Sequence, residues 1–218
     1  MKNILIIAGP SAVGKTTVAH RMLDLEPRFE FVRSVTTRPR RADQFDNEYI
    51  YITEDEFRHL IDTAGVLEHT NYAGNFYGTP RSEIDRITSE GNIPLLILDI
   101  NGVESLSKNK GDISPCGVYL YDDIDVMSDR LFERYKDNLD ADNQRRLDSR
   151  RAQNVQDYSE MPIHEPYFYS FIHNCSSVDC CAEKILEIFS DFCHDIAKNE
   201  DETKALALEL KASVESKK

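Results

Sequence analysis

A run of eight residues near the start of the chain constrains it more than any other feature. Gly9-Pro10-Ser11-Ala12-Val13-Gly14-Lys15-Thr16 fits G-x-x-x-x-G-K-[ST] without a gap. It follows a β-branched run at 2–8 and opens a helical stretch at 15–25, the strand–loop–helix setting such a motif needs. Glycines let the backbone curl so that its N–H groups converge on a phosphate, and the helix N-terminus adds its positive dipole end. Lys15 can reach the β- and γ-phosphates, and Thr16 can offer a hydroxyl to Mg²⁺. Gly9 through Thr17 form the candidate triphosphate site. The motif is silent on what accepts the phosphate.

Strand patterns at 29–36, 95–100, 117–120 and 168–174 alternate with helical ones. The helical stretches are 80–90, 123–157 (two helices with a bend near 138–142) and 178–196. This order predicts an α/β fold: a P-loop parallel sheet with helices on both faces, its ligands beyond the carboxyl ends of the strands. Between 48 and 79 the pattern changes. A strand at 48–52 is followed by Thr53 and Glu56, spaced as a capping box, and by a helix ending at Gly65. Two strands then turn at Ala73-Gly74-Asn75. This predicts a small mixed α+β subdomain inserted between parallel-type elements. From 197 onward the chain reads as a polar tail or a weak amphipathic helix.

The 218 residues suffice for one α/β domain with insertions. Their net charge of −13 argues against general nucleic-acid binding, which needs net attraction to phosphate. It permits small phosphorylated ligands held by a local basic cluster. No apolar run approaches the roughly 18–20 residues of a membrane span, and no secretory signal is visible, so a cytoplasmic location without a membrane partner is expected. The five cysteines fit no paired zinc spacing and read as reduced thiols.

Arg33, Arg38, Arg40 and Arg41 fall within nine residues with no acid among them. Arginine forks match phosphate oxygens in a bidentate way, so the cluster suits a second phosphorylated substrate; a solvated basic loop is the alternative. With Ser34, Tyr49, Glu68, Tyr77 and Thr79, and the phrase Gly74-Asn75-Phe76-Tyr77-Gly78-Thr79, it resembles the GMP site of guanylate kinases. The resemblance runs from about 3 to 192 and rests on several motifs in the right order.

The resemblance implies a guanylate kinase-like domain at 1–196, with core 1–33, 80–122 and 166–196, GMP-binding subdomain 34–79 and lid 123–165, followed by the tail at 197–218. It implies ATP-dependent phosphorylation of GMP, and of dGMP, with Mg²⁺ carried by ATP and nucleotides as the partners. Arg38, Arg41, Tyr49 and Tyr77 would hold the GMP phosphate; Ser34, Glu68, Thr79 and Asp99 would read guanine. Arg130, Arg134 and Arg150 fall in the lid, with Lys15 and Arg38 completing the catalytic set, and Asn174 is a candidate on the ATP side. Chemistry supports the guanine set. Guanine offers two adjacent donors, N1–H and the 2-amino group, and a carboxylate accepts both.

The chain departs from the family in three places. Asn101 follows Asp99 where a second acid is usual. Glu133-Arg134-Tyr135 stands for Gly-Arg-Gly in the lid, and 42–47 lacks the usual glycines. A kinase of a sugar phosphate and a non-catalytic binding module are the rival expectations; oligomeric state is not legible.

Overall fold

Strand β1 (Lys2–Ala8) is the middle of the sheet, and its residues Ile4 to Ala8 are wholly buried. An apolar run without alternation is what a strand covered on both faces requires. The computed structural model describes residues 1–40, 49–72, 74–174 and 177–216. Helix α1 (Lys15–Leu25) leaves the phosphate loop, and β2 (Phe29–Phe31) returns to the sheet edge. Strands β7 (Ile93–Leu98), β8 (Ile113–Tyr121) and β9 (Ser170–His173) complete a five-stranded sheet of order β2-β7-β1-β8-β9. All its pairings are parallel, with Ile7 opposite both Ile97 and Val118. The carboxyl ends of β1, β7 and β8 therefore lie side by side, and the site gathers there.

Helix α1 packs on α7 (Val178–Cys193), forming one layer. Helices α4 (Ile100–Lys108), α6 (Ala141–His164) and α8 (Glu200–Glu215) pack in sequence on the other side of the sheet. The lid helices α5 (Ile124–Tyr135) and α6 are joined through a short helical turn at Lys136–Asn138.

The inserted region is a second sheet of order β4-β3-β6-β5, formed by β3 (Ser34–Thr36), β4 (Tyr49–Tyr51), β5 (Val66–Tyr72) and β6 (Asn75–Pro80). Helix α2 (Glu54–Asp62) carries the expected capping box: the Glu56 N–H donates to Thr53, and Glu56 accepts from the Thr53 N–H. Its Phe57 is fully buried and stacks on Phe76, which seals the helix to the sheet. Helix α3 (Arg81–Ser89) leads back to the core.

The structure differs from the sequence pattern at three points. The strand expected over 29–36 is two strands in two sheets. The Val32 N–H still pairs with Leu95 of the core, and both Arg33 nitrogens bond Glu83 of α3 at 2.9 Å, so the chain changes sheets there. Helix α4 was not foreseen; Asp99 caps it by accepting from the Gly102 N–H at 2.7 Å. The segment from 197, read as a polar tail or a weak amphipathic helix, is neither frayed nor weak: it contains α8, with Thr203, Ala207, Leu210 and Val214 buried at helical spacing. Lys198 fastens it by donating to the buried Glu165 carboxylate at 2.7 Å. Among the described residues no helix is long and apolar enough to cross a membrane, and no cluster of metal-ligating side chains occurs.

Candidate functional site

The phosphate loop is held from every side. Gly9 (φ 148°) and Gly14 (φ 102°) adopt backbone angles that L side chains rarely reach. A Cβ at Gly9 would lie 2.3 Å from the Leu120 carbonyl, and one at Gly14 2.7 Å from Asn174 Nδ2. The loop carbonyls are claimed one by one. Lys15 Nζ donates to Gly9 O at 2.6 Å and Pro10 O at 2.8 Å. Asn154 donates to Ser11 O at 3.1 Å, and Asn174 to Val13 O at 2.6 Å. The side chains of Thr16 and Thr17 are exposed at the start of α1. Burial lowers the Lys15 ammonium to about 8; Arg134 and Arg150 add to the depression, and Asp157 and Asp99 oppose it.

A cleft of about 1060 Å³ opens above the loop. Gly9, Ser11 and Lys15 form its floor, and Asp99 and Asn101 at the end of β7 one wall. Arg145, Arg146, Arg150 and Asp157 of α6 form the other. A second pocket of about 240 Å³ shares Tyr49, Asp99 and Asn101 with the cleft and adds Ser34, Glu68 and Tyr77 from the inserted sheet. The two spaces are neighbours across a common wall. Thr79 donates to Glu68 at 2.6 Å inside the protein, and Glu68 is 8% exposed. Burial raises the Glu68 carboxyl above its ordinary value; the bond from Thr79 opposes this, and Asp99 adds to it.

Arg38 bonds the Tyr51 hydroxyl at 2.9 Å and lies over the rings of Tyr49 and Tyr51, so its guanidinium is braced beside the acceptor pocket. Arg41 lies outside the described residues. The expected lid arginines divide. Arg150 lines the cleft, and Arg134 is close enough to act on Lys15. Arg130 is turned to Asp122, a buried carboxylate, at 2.8 Å. Asn174 is spent on the loop itself: besides Val13 O, its Oδ1 accepts from Cys181 Sγ at 3.0 Å.

Sequence reasoning missed Arg145, Arg146, Tyr51, Asn154 and Asp157. Spacing held a signal for part of this set. Residues 146, 150, 154 and 157 recur at four, four and three, the period of one helix face.

The Thr16 hydroxyl is exposed at the loop and Asp99 lies on the cleft wall, with no denser cage of acids among the described residues. Mg²⁺ keeps several waters and binds through few protein groups plus substrate phosphates, so these residues fit an ion that arrives with a nucleotide.

A parallel sheet whose first strand runs into this loop, with a second sheet inserted beside the cleft and arginines of α6 along it, has the architecture of a P-loop phosphotransferase. The sequence pattern of the guanylate kinase family, described as "Guanylate kinase", matches residues 1–191. The chain is 30% identical over 190 residues to a guanylate kinase of Streptococcus pyogenes, covering 85% of this chain and 83% of that one. It is 28% identical over 195 residues to that of Lactobacillus johnsonii, covering 87% and 94%. A match to the guanylate kinase of Salinibacter ruber is 39% identical over 113 residues but spans only 60% of that protein and 51% of this chain. In fold the structure is similar to guanylate kinase from Anaplasma phagocytophilum, with a TM-score of 0.59 and 21% identity over 88% of this chain and 86% of that one. This chain belongs to the guanylate kinase family.

Proposed function

We propose that this protein transfers the γ-phosphoryl group of ATP to the phosphate of GMP, giving ADP and GDP, that it also accepts dGMP, and that it works in the cytoplasm. The observation that carries this reading is the buried Glu68, bonded by Thr79, in a pocket that shares a wall with the cleft over Lys15. A carboxylate removed from water is costly unless something donates to it. Guanine's N1–H and 2-amino group supply two such donors; adenine would turn a ring nitrogen lone pair toward the acid. A site built on these bonds can discriminate by roughly 10⁴-fold.

The loop N–H groups and Lys15 would bind the β- and γ-phosphates of ATP, with Lys15 released from its carbonyls. Arg38, Tyr49 and Tyr77, with Arg41, would hold the acceptor phosphate. One of its oxygens would then attack the γ-phosphorus in line, and the bond to the ADP oxygen would break. Arg150 and Arg134 would stabilise charge on the moving group. Thr16 would hold the Mg²⁺ that arrives with ATP, whose chemistry is to neutralise charge between the β- and γ-oxygens. In this reading 34–79 is the acceptor subdomain and 123–165 the lid, and their closure over the core excludes water and suppresses ATP hydrolysis.

A sugar-phosphate acceptor would use the arginines but offers no pair of N–H donors to Glu68. A non-catalytic module would not need Lys15 and Thr16. The test is ADP release with ATP and Mg²⁺ across GMP, dGMP, IMP, AMP, CMP, UMP and a ribose bisphosphate, with the phosphorylated product identified directly. Fast turnover of the guanine nucleotides is expected, with IMP far slower and the others silent. Turnover of a sugar phosphate in their place, or ATP binding with no transfer, would overturn it.

A further inference from the structure

Helix α6 does more than carry arginines. Its Asn154, 1% exposed, faces the phosphate loop and makes both hydrogen bonds that a side-chain amide can make to one residue's main chain. The Ser11 N–H donates to Asn154 Oδ1 at 2.7 Å, and Asn154 Nδ2 donates to Ser11 O at 3.1 Å. The next loop residue, Ala12, holds a left-handed φ of 67° and is buried under Leu131 of α5 and Leu147 of α6. The tip of the loop is therefore docked on the lid helices by an amide pair and an apolar plug.

We propose that Asn154 is a positioning residue that gives the phosphate loop its anion-binding shape and sets Arg150 in register with it. The proposal deepens the kinase reading and rests on it for the role of Arg150. Two geometric facts carry it. First, Asn174 of the core holds Val13 O at one end of the tip, and Asn154 of α6 holds both main-chain groups of Ser11 at the other. Peptides whose carbonyls are held outward leave the following N–H groups converging on the centre, which is how such a loop grips a phosphate. Pro10 has no N–H, so the Ser11 N–H is the first donor of the tip, and Asn154 spends it on the lid. The Val13 N–H is turned back to Pro10 O at 3.4 Å, so the phosphate donors are then the N–H groups of Gly14 through Thr16. Second, Arg150 lies one helical turn before Asn154, so the two share a face of α6. Anchoring Asn154 to Ser11 fixes how far Arg150 reaches over Lys15.

The expected outcome is specific to a joint between loop and lid. Asn154→Ala takes both half-buried Ser11 main-chain groups from their side-chain partner, and should weaken ATP binding measured by calorimetry about tenfold, the scale of a lost hydrogen bond or two. It should lower kcat by at least about tenfold through misplacement of Arg150, with the KM for GMP unchanged. Arg150→Ala should lower kcat alone, and in the Asn154→Ala background should cost less than about threefold more, because residues acting through one another do not add. Asn154→Ser, too short to reach either Ser11 group, should behave like Asn154→Ala and stands in for it if that variant does not fold. Unchanged ATP affinity in a folded variant overturns the proposal whatever the acceptor is. Independent multiplication of the two kcat losses, or a parallel rise in the KM for GMP, overturns the link to Arg150. If the wild type binds ATP but transfers nothing to GMP, the kinase reading fails alone; ATP affinity then still decides whether Asn154 shapes the loop.

Discussion

Replacing Glu68 by Gln changes one oxygen to an NH₂ group and little in volume. Glu68 is 8% exposed, and Thr79 donates to its Oε1 at 2.6 Å, so the side chain is preset in the free protein. The Thr79 hydroxyl can keep the amide oxygen, which leaves the amide NH₂ facing a guanine donor. One charge-assisted bond is lost, worth about 1.5–3 kcal/mol, and one buried donor stays unpaired at about 1–3 kcal/mol. A sum of about 2.5–6 kcal/mol corresponds to a fall of about 70- to 25,000-fold in kcat/KM for GMP. IMP lacks the 2-amino group, so it should lose less and the preference for GMP over IMP should narrow. Stability should move the other way. Burial raises the folded carboxyl above its ordinary 4.5, so ionising it works against folding as pH rises through that range. Near neutral pH Glu68→Gln removes this cost and should melt higher than the wild type without ligand, while GMP stabilises it less. Steady-state kinetics with GMP and IMP, and melting with and without GMP, read all of this. A variant with kcat/KM for GMP within threefold of the wild type would refute the assignment of Glu68 to the base.

Lys15 titrates near 8 when folded against 10.5 when free. ATP affinity measured by calorimetry should therefore fall above about pH 8 as the ammonium is lost. Over the window from 8 to 10.5 the unfolded chain holds a proton that the folded one has released, so this group's contribution to ligand-free stability rises with pH there. Gly14→Ala must place a Cβ 2.7 Å from Asn174 at a φ of 102°; a loss of about 1–3 kcal/mol in denaturant unfolding and loss of ATP binding are expected. Lys198→Met keeps α8, with its stripe of Ala207, Leu210 and Val214, in place and leaves the Glu165 carboxylate buried without its cation. Removing one partner of a buried pair costs about 3–5 kcal/mol, about 6–20 °C in melting temperature for a domain of this size; an unchanged melting curve would show that the pair contributes nothing.

What the sequence revealed follows the range of the forces involved. The phosphate loop was legible because strand, glycines, lysine and helix start are all local. The guanine set was legible only as a set: Glu68 and Thr79 are eleven positions apart, yet β5 and β6 are antiparallel and bring them into one hydrogen bond. The change of sheets at Val32 and Arg33 was hidden, since both strands are β-prone and only Glu83, fifty positions on, shows where the chain leaves the core. Helix α8 was hidden for a different reason. Thr203 and Ala207 carry half of its buried stripe, while the conspicuous Leu208 is 59% exposed. Arg130 and Arg150 looked equivalent on paper. Asp122, buried at the end of β8, draws the first away, and the docking of α6 delivers the second to the cleft.

The wall shared by the cleft and the acceptor pocket ties base recognition to phosphoryl transfer. Asp99 belongs to both spaces, and its Oδ1 is fixed by the Gly102 N–H at the start of α4. An acid held by a helix N-terminus is a fixed reference point, not a mobile side chain. In the proposed complex a base that satisfies Glu68 on one side and meets Asp99 on the other would be held at two fixed points. A base that leaves Glu68 unpaired must shift or tilt, and its attacking oxygen moves with it. Interactions with a remote part of a substrate raise the rate of a reaction in this way, by fixing the reacting atoms instead of merely tightening binding. The penalty for the wrong base should therefore appear in kcat as well as in KM. Asn101, standing where the family usually has a second acid, fits the same wall. In the proposed reaction it would leave one negative charge fewer on the cleft wall that the phosphates approach.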